Sequence, residues 1–569
     1  MFGPGYAAFR SILAALLLAT TLSLSACGGG GGGNGAAPPP PPPPPPAPPT
    51  SAELEEASRF AARATFGLSF DDIDTLARQG RDAWLNQQFS LPVGEHTSIV
   101  ADLVRRRDAG EFAQFEQDIE YLVLFRRLAW WHRTITSPDV LRQRVAFALS
   151  QIFVVSDNVD DLIIDPFALS GYYDMLLNNA FGNYRDLLRD VSLHPAMGIY
   201  LSHVNNRKAD PQNNIFPDEN YAREVMQLFS TGLFELNIDG SLQLDGDGRP
   251  IATYSNDEIR EFAKIFTGLS YDGPGAYFGN PEPNFLARMR MFDAEHAPGT
   301  KQLLRGLVVP AGQTGMQDME AALDNLFNHP NVGPFIGKQL IQRLVTSNPS
   351  PAYVERVARA FDGDATGVRG DMRAVIRAVL LDPEALAAPS PASAFGKLRE
   401  PVVRYASILR QFGATSDDGF IGNTGYIIQE LGKQHPLSAP SVFNFFLPAH
   451  SPAGEIADAG LVAPEFQITT SNSVVGMSNL VDFVVLAGFV ADAPEPFSQV
   501  SLDLGDYVAL ASDVDALVER LDIVLTAGTL DPSTRSAIES VLNDIPDVDA
   551  RLLTALYMFL TSADYAVRF

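Results

Sequence analysis

The chain has 569 residues, of which 46% are hydrophobic, and this is enough apolar material for a large buried core. Its net charge of −27 argues against a nucleic-acid partner, because affinity for nucleic acid comes from Lys and Arg side chains that neutralise phosphates. Cys27 is the one cysteine, which excludes an internal disulfide. An acidic protein held together by noncovalent packing is therefore expected.

Residues 1–26 have the pattern of a lipoprotein signal peptide. Arg10 precedes an uncharged run that is too short to span a bilayer stably. The run ends at residues 24–27, which read LSAC, so small residues precede a thiol that can carry a lipid. The alternative is an ordinary secretory signal with an incidental cysteine. We expect cleavage after residue 26 and membrane attachment through a lipid on Cys27.

This anchor predicts a location in the cell envelope. By resemblance to the lipoproteins of Gram-negative bacteria, a glycine rather than an aspartate at position 28 favours the outer membrane. The membrane is then one partner, and an envelope protein is a second expected partner. The sequence identifies neither a ligand nor a cofactor.

Residues 27–51 form a predicted linker ahead of a domain that covers residues 52–569. Gly28–Gly33 is typical of a flexible coil, and Pro38–Pro46 is typical of a stiff polyproline II segment. At ~3.1 Å per residue the proline segment extends roughly 30 Å. A spacer that lifts the domain off the membrane is the preferred interpretation, and a docking site for proline-recognising modules is the alternative.

The domain begins with amphipathic helices that have clear start signals. A capping box, Thr50 with Glu53, predicts a helix over 54–65, and Ser69 predicts another that ends near Gly80. Further helices are predicted where an N-cap residue precedes a proline, at Ser137-Pro138, Ser350-Pro351 and Asp531-Pro532. The pattern is that of a mainly α protein, a large multi-helix globular domain.

One β excursion is predicted around residues 234–253. Asp239-Gly240 and Asp245–Gly248 supply turn chemistry for one or two hairpins. The second turn has some likeness to a calcium loop, but it lacks the full spacing with a glutamate at the twelfth position. A turn is therefore the preferred interpretation.

Four short motifs follow one another in the domain. They are residues 63–67 (RATFG), 218–224 (DENYARE), 262–268 (FAKIFTG) and 296–301 (HAPGTK). In this order they resemble the bacterial family called domain of unknown function 1800, and the resemblance extends from about residue 52 to the end of the chain. It implies a secreted or envelope protein without an established activity. Ala297 departs from the aspartate usual in the family, which weakens any metal site that needed that carboxylate.

The helix that begins near Asp218 carries the richest polar group. Asn220, Arg223 and Glu224 lie at i, i+3 and i+4 and share one face. One interpretation is a buried Arg223–Glu224 ion pair that fixes helix packing. The other makes Glu224 a general base or metal ligand and Arg223 an anion clamp.

Histidines supply the second polar signal. His194 and His296, with Asn205 and Lys301, lie in stretches that match the family's motifs. A structural role in packing or in hydrogen bonding to the backbone is the alternative for each histidine. Because the chain has no HExxH motif and no cysteine pair, we predict no metal site.

Two functions remain open at this point. The first is a surface scaffold or binding lipoprotein of unknown ligand. The second is an envelope hydrolase with Glu224, Arg223, His194 and His296 as catalytic residues and Asn220, Asn205 and Lys301 as binding residues. Convergence of these side chains in one pocket would favour the enzyme, and their dispersal would favour the binding protein.

Overall fold

Helices are the main elements of the structure, and several of them are joined by long irregular segments. The computed structural model describes residues 47–112, 120–364, 366–389 and 395–568. The chain divides into two units, Met1–Pro48 and Pro49–Phe569. The predicted signal peptide, Cys27 and most of the predicted linker lie outside the described residues. Within the described ranges, no helix is long and apolar enough to cross a membrane.

The helices confirm the mainly α prediction. In chain order they are α1 Ser51–Ala64, α2 Phe70–Gln79, α3 Arg81–Ser90, α4 Thr97–Asp108, α5 Glu120–Thr136, α6 Val140–Ser150, α7 Asp160–Ile163, α8 Pro166–Asn179, α9 Tyr184–Leu193, α10 Pro195–Tyr200, α11 Asn220–Gln227, α12 Asn256–Ile265 and α13 Gly315–Phe327. They continue as α14 Val332–Leu344, α15 Pro351–Asp362, α16 Met372–Leu380, α17 Pro383–Leu386, α18 Pro401–Gln411, α19 Tyr426–Gly432, α20 Glu455–Asp458, α21 Ser471–Val481, α22 Gly505–Leu510, α23 Val514–Leu521, α24 Pro532–Asn543, α25 Val548–Thr561 and α26 Ala563–Ala566.

Strands are short and form two-stranded antiparallel pairs. They are β1 Leu269–Ser270 with β2 Arg290–Met291, β3 Lys301–Gln302 with β4 Val308–Val309, β5 Lys397–Leu398 with β8 Val567–Arg568, and β6 Thr415–Ser416 with β7 Val500–Ser501. The pair β5–β8 joins segments that are far apart in the sequence. It is therefore a long-range contact that attaches the last strand to the rest of the domain, and not a local hairpin.

Most of the predicted helix caps are confirmed, although α1 begins at Ser51, three residues before the predicted start. Thr50 caps α1 in a complete capping box with Glu53, and Ser69, Ser350 and Asp531 cap α2, α15 and α24. The predicted start at Ser137 is wrong. The helix begins at Val140, because the Ser137 hydroxyl bonds to the Asp139 carboxylate instead of capping a backbone N–H.

The β excursion is confirmed as two consecutive hairpins, and an outer bridge encloses both of them. The hairpin bridges join Leu236 to Leu242 and Leu244 to Pro250, and the outer bridge joins Phe234 to Ala252. At the second turn, Asp245 Oδ1 accepts hydrogen bonds from the backbone N–H groups of residues 247 and 249, each at 2.9 Å. This carboxylate oxygen stabilises the turn, as the turn interpretation predicts.

Aromatic side chains fill the core where α5, α6 and α18 meet. Trp130 and Trp131, both in α5, lie with ring centres 4.9 Å apart and nearly perpendicular. Trp131 contacts Tyr405 of α18 at 5.1 Å, and Phe66 contacts Phe147 of α6 at 5.6 Å. Such pairs contribute roughly 0.5–1.5 kcal/mol each beyond the burial of their area.

The C-terminal end of α14 is buried, and three cations bind its carbonyl groups. Lys397 Nζ donates to the carbonyl of Arg343 at 3.1 Å, and Arg144 donates to the same oxygen at 2.8 Å. Arg568 donates to the carbonyl of Leu344 at 2.5 Å. The last carbonyls of a helix have no intrahelical partner and carry partial negative charge, so cations are their natural partners.

Two carboxylates lie among these cations. Glu465 pairs with Lys397 at 2.8 Å, and both side chains are 2% exposed. Glu400 accepts a hydrogen bond from Gln434 Nε2 at 2.7 Å and a second from the amide of Gln151. A polar cluster of cations and carboxylates therefore lies buried at this end of α14.

Candidate functional site

Helix α11 presents the predicted polar face. Its first residue, Asn220, is exposed, and the Asn220 backbone N–H donates to Asp218 Oδ1 at 2.8 Å. Tyr221 and Val225 point the opposite way and are fully buried. The 3.6-residue period predicts this division correctly.

Glu224 is buried, but Arg223 is not its ion-pair partner. Arg223 extends along the helix surface to Glu219 at 3.5 Å, and each of these two side chains is 41% exposed. The predicted buried Arg223–Glu224 pair is therefore wrong, because a long Arg side chain can reach the preceding turn and keep its charge in water. Glu224 is 7% exposed, and its Oε2 has no hydrogen-bond partner among the described residues.

Burial raises the pKa of Glu224, although the charge of nearby Arg223 opposes the shift. Tyr254 lies beside this carboxyl, and its hydroxyl also lacks a partner in the described part of the chain. Burial, with a contribution from the Glu224 charge, raises the pKa of Tyr254 to about 12. Sequence reasoning did not identify Tyr254, because it lies 30 residues from Glu224, just past the hairpins.

His194 caps a helix. Its Nδ1 accepts a hydrogen bond from the backbone N–H of Ala196 at 3.2 Å at the start of α10, and its ring meets Tyr172 edge-on at 5.1 Å. Burial lowers the pKa of His194 to about 3. An efficient general base has a pKa near the working pH, so this geometry supports a structural role.

His296 and Lys301 meet at a carboxylate that was not predicted. His296 Nε2 lies 3.0 Å from Oδ2 of Asp318, and the Lys301 ammonium bonds to the same oxygen. Gln313 Nε2 donates to the other carboxylate oxygen at 2.9 Å. Asp318 lies in α13, 22 residues from His296, and no local pattern marks it.

The other ring nitrogen of His296 faces an acceptor as well. Its Nδ1 lies 2.9 Å from the carbonyl oxygen of Thr267, and Lys301 also donates to the carbonyl of Ala297 at 2.6 Å. These contacts satisfy His296, Lys301 and Asp318 from within the protein, and none of these three side chains is more than 2% exposed. The geometry locks a loop onto α13.

Asn205 fixes the chain between α10 and β1. Its backbone is left-handed, with φ 59°, and its N–H donates to the carbonyl of Leu269 at 2.8 Å. Its Oδ1 accepts from the hydroxyl of Ser270 at 2.6 Å. Asparagine is one of the few residues besides glycine that adopt this backbone conformation readily.

Another histidine that the sequence did not single out packs on α11. His203 stacks on Tyr221 with ring centres 3.9 Å apart, and its Nε2 contacts the carbonyl of Ser192 at 2.9 Å. The Ser192 hydroxyl in turn bonds to the Tyr221 hydroxyl at 2.6 Å. Burial lowers the pKa of His203 to about 4, so this ring is neutral at physiological pH.

The predicted hydrolase residues do not form one site, because His296 and Lys301 meet at Asp318, whereas His194 and Glu224 have other neighbours. In the described part of the chain, no hydrogen bond or ion pair joins Glu224 to His194, His296 or Lys301. Among the same described residues, no group of three His, Cys, Asp or Glu side chains is placed to hold a metal ion.

An apolar cavity of about 570 Å³ lies between the first hairpin, α14 and the segment 442–449. Apolar side chains from all three line it, namely Leu233, Leu236, Leu242, Phe335, Phe443 and Leu447. Several of them are open to solvent, with Leu233 48% and Phe443 44% exposed. Clusters of exposed apolar side chains such as this one often mark a binding site.

A larger cleft of about 930 Å³ lies between α3, α15 and α16. Its cations are mostly compensated, since Arg356 pairs with Asp382 at 2.7 Å and Arg377 pairs with Asp82. Charge in this cleft is therefore balanced by the protein itself, and the apolar cavity is the better candidate for a ligand site.

Taken together, these features define a mainly helical domain with buried polar clusters and an apolar cavity. The model of a family described as "Protein of unknown function (DUF1800)" matches residues 59–567, so the chain belongs to that family. Comparison with curated proteins and with solved structures gave no match.

Proposed function

We propose that this protein is a lipid-anchored envelope protein whose folded domain binds an apolar ligand and is not an enzyme. The observation that carries the binding role is the apolar cavity. Its volume of about 570 Å³ and its Leu and Phe lining suit a small organic molecule. The lipid anchor rests on Cys27 and the three residues before it, and the outer membrane rests on Gly28.

Dispersal of the predicted catalytic side chains supports binding over hydrolysis. A hydrolase needs its base, its nucleophile or water, and its anion-stabilising groups within hydrogen-bond reach of one substrate atom. His194 caps a helix, His296 is enclosed by its own hydrogen bonds, and Glu224 lies with Tyr254. Neither the apolar cavity nor the larger cleft is lined by any of these three residues.

A fluorescent apolar probe tests the binding role. N-phenyl-1-naphthylamine is uncharged and brightens on leaving water, so it should bind the folded protein with a saturable signal. Ala449 is exposed and lines the cavity, so Ala449→Trp should block the probe. Ala453 is exposed and does not line it, so Ala453→Trp is the matched control. Absence of saturable binding, or an equal effect of both substitutions, contradicts the proposal.

Cell fractionation tests the anchor. The wild-type chain should sediment with outer membranes and carry label from a radioactive fatty acid. Cys27→Ser removes the acceptor thiol, so the variant should lose the label and leave the membrane fraction. Retention of the Cys27→Ser variant in the membrane after processing would show that another feature holds the protein there.

A further inference from the structure

The apolar cavity carries positive charge and no negative charge. Lys338 and Arg343 line it, and among the described residues that line it there is no aspartate or glutamate. This contrasts with the chain as a whole, which has 68 acidic residues against 41 Lys and Arg. A cavity of this sign in an acidic protein is complementary to an anion.

Of the two cations, Arg343 is the stronger evidence for an anionic ligand, because its side chain is buried. It lies in the last turn of α14, is 3% exposed, and rests 4.9 Å above the ring centre of Phe446. The hydrogen bond its guanidinium donates runs to the carbonyl of Gln151 at 3.5 Å, which is long and weak. No carboxylate of the described residues lies within ion-pair distance of it.

The surroundings of Arg343 leave positive charge uncompensated. Burial lowers the pKa of Arg343, while Glu400 and Glu465 oppose the shift, and an arginine stays protonated at neutral pH. The cluster at this end of α14 contains four cations and two carboxylates, namely Arg144, Arg343, Lys397 and Arg568 with Glu400 and Glu465. Its formal excess is therefore two positive charges.

The helix end offsets only part of this excess. The C-terminus of a helix is equivalent to roughly half a negative charge. Arg144, Lys397 and Arg568 bind the α14 carbonyls and use that partial charge, whereas Arg343 lines the cavity. A buried charge without a partner is costly, and an anion that enters the cavity supplies the partner.

We infer that the cavity binds an amphipathic carboxylate, whose single hydrocarbon chain lies against the Leu and Phe walls while its carboxylate pairs with Arg343. This inference rests on the proposed binding role and adds the chemical class of the ligand. Arg343 suits the task because a guanidinium can bind both oxygens of a carboxylate at once. The hydrocarbon chain covers apolar side chains such as Leu233 and Leu242 that are otherwise open to water.

Competition against bound N-phenyl-1-naphthylamine tests the ligand class. Three compounds share a twelve-carbon chain and differ in charge: dodecanoate, dodecan-1-ol and dodecyltrimethylammonium, each used below its aggregation concentration. Dodecanoate should displace the probe at a concentration at least tenfold below those of the other two. Equal displacement by all three overturns the inference while the probe signal itself still supports the binding role. Absence of the probe signal contradicts the binding role instead.

Two substitutions locate the carboxylate. Arg343→Met should remove the preference for dodecanoate, while Lys338→Met, at the exposed rim, should change it by less than threefold. The opposite pattern places the carboxylate at the rim and overturns the assignment to Arg343. If Arg343→Met does not fold, a preference in the wild-type protein that survives 0.5 M salt still points to a buried cation, since a rim pair is screened, and loss of the preference in salt overturns the assignment.

Discussion

His296 Nε2 lies 3.0 Å from Oδ2 of Asp318, and both side chains are 2% exposed. Position 297, where the resemblance to the family leads one to expect an aspartate, holds alanine. The carboxylate that faces His296 therefore comes from helix α13 and not from the neighbouring residue. Lys301 contacts the same carboxylate, so the single acidic side chain of Asp318 interacts with two basic side chains.

Asp318→Asn should destabilise the domain by about 3–5 kcal/mol, because it leaves the buried Lys301 ammonium without its counter-charge. Urea unfolding of the purified protein measures the loss. Asp324→Asn is the control in the same helix, since Asp324 is 62% exposed and its pair with Arg185 should contribute less than about 1 kcal/mol. Equal losses in the two variants would contradict the buried ion pair.

The same carboxylate predicts a loss of stability in acid. Burial by itself raises the pKa of Asp318, but hydrogen bonds from Lys301, His296 and Gln313 outweigh it and lower the pKa overall. A carboxyl with a lowered folded-state pKa stabilises the fold above its unfolded-state pKa of about 3.9, and this contribution is lost below it. The stability difference between wild type and Asp318→Asn should therefore shrink between pH 5 and pH 2.5. A difference that does not change with pH rules out this coupling.

Glu224→Gln should leave the stability at pH 7 unchanged or higher. Burial raises the pKa of Glu224, so the unfolded chain ionises this group more readily, and its contribution to stability falls as the pH rises. A neutral amide of the same shape removes that penalty. Melting temperatures at pH 4 and pH 8 should show a gain at pH 8 that disappears at pH 4. A loss at pH 8 would mean that a partner stabilises the ionised carboxylate.

Arg223→Met should cost less than about 1 kcal/mol, because an exposed pair of the kind that Arg223 makes with Glu219 contributes little. Thermal melts of Arg223→Met, Glu224→Gln and the double variant should be additive, since the two side chains are not paired with each other. Recovery of stability in the double variant would instead support the Arg223–Glu224 ion pair that was predicted from the sequence.

Arg568→Met should lower the free energy of unfolding by about 2–5 kcal/mol, because buried carbonyl oxygens that lose a charged donor carry a large penalty. The guanidinium donates to the carbonyls of Leu344 and Val345, at 2.5 and 3.3 Å, and to that of Ala62. Arg249→Met is the control, since Arg249 is 76% exposed and should matter by no more than about 0.5 kcal/mol. Denaturant titration distinguishes the two outcomes.

Features fixed by neighbouring residues could be predicted from the sequence. The capping box of Thr50 and Glu53 and the turn at Asp239-Gly240 act within three or four residues, so the pattern contains nearly all the relevant information. Ser137 shows where this stops. A serine before a proline is a common pattern for a helix cap. Here, however, the Ser137 hydroxyl donates its hydrogen bond to the Asp139 carboxylate, and the helix begins later.

Features that depend on long-range packing could not be predicted. Asp318 and Tyr254 each meet their partners from a different element, and the hydrogen bonds of α14 come from residues as far apart as Arg144 and Arg568. The sequence pattern around Arg343 does not mark this residue. Its position at a cavity depends on where the first hairpin packs against α14, and the spacing of residues along the chain does not contain that information.

The contact between Arg568 and Ala62 also constrains the order of events during synthesis. These residues are separated by 506 positions, and the strand that carries Arg568 pairs with β5. A ribosome adds roughly 5–20 residues per second, so α1 waits on the order of half a minute or more for this partner. Once α14 has been made, its buried end also lacks one donor until Arg568 follows it. The nascent chain is therefore expected to stay open, and accessible to chaperones, until residue 568 has emerged.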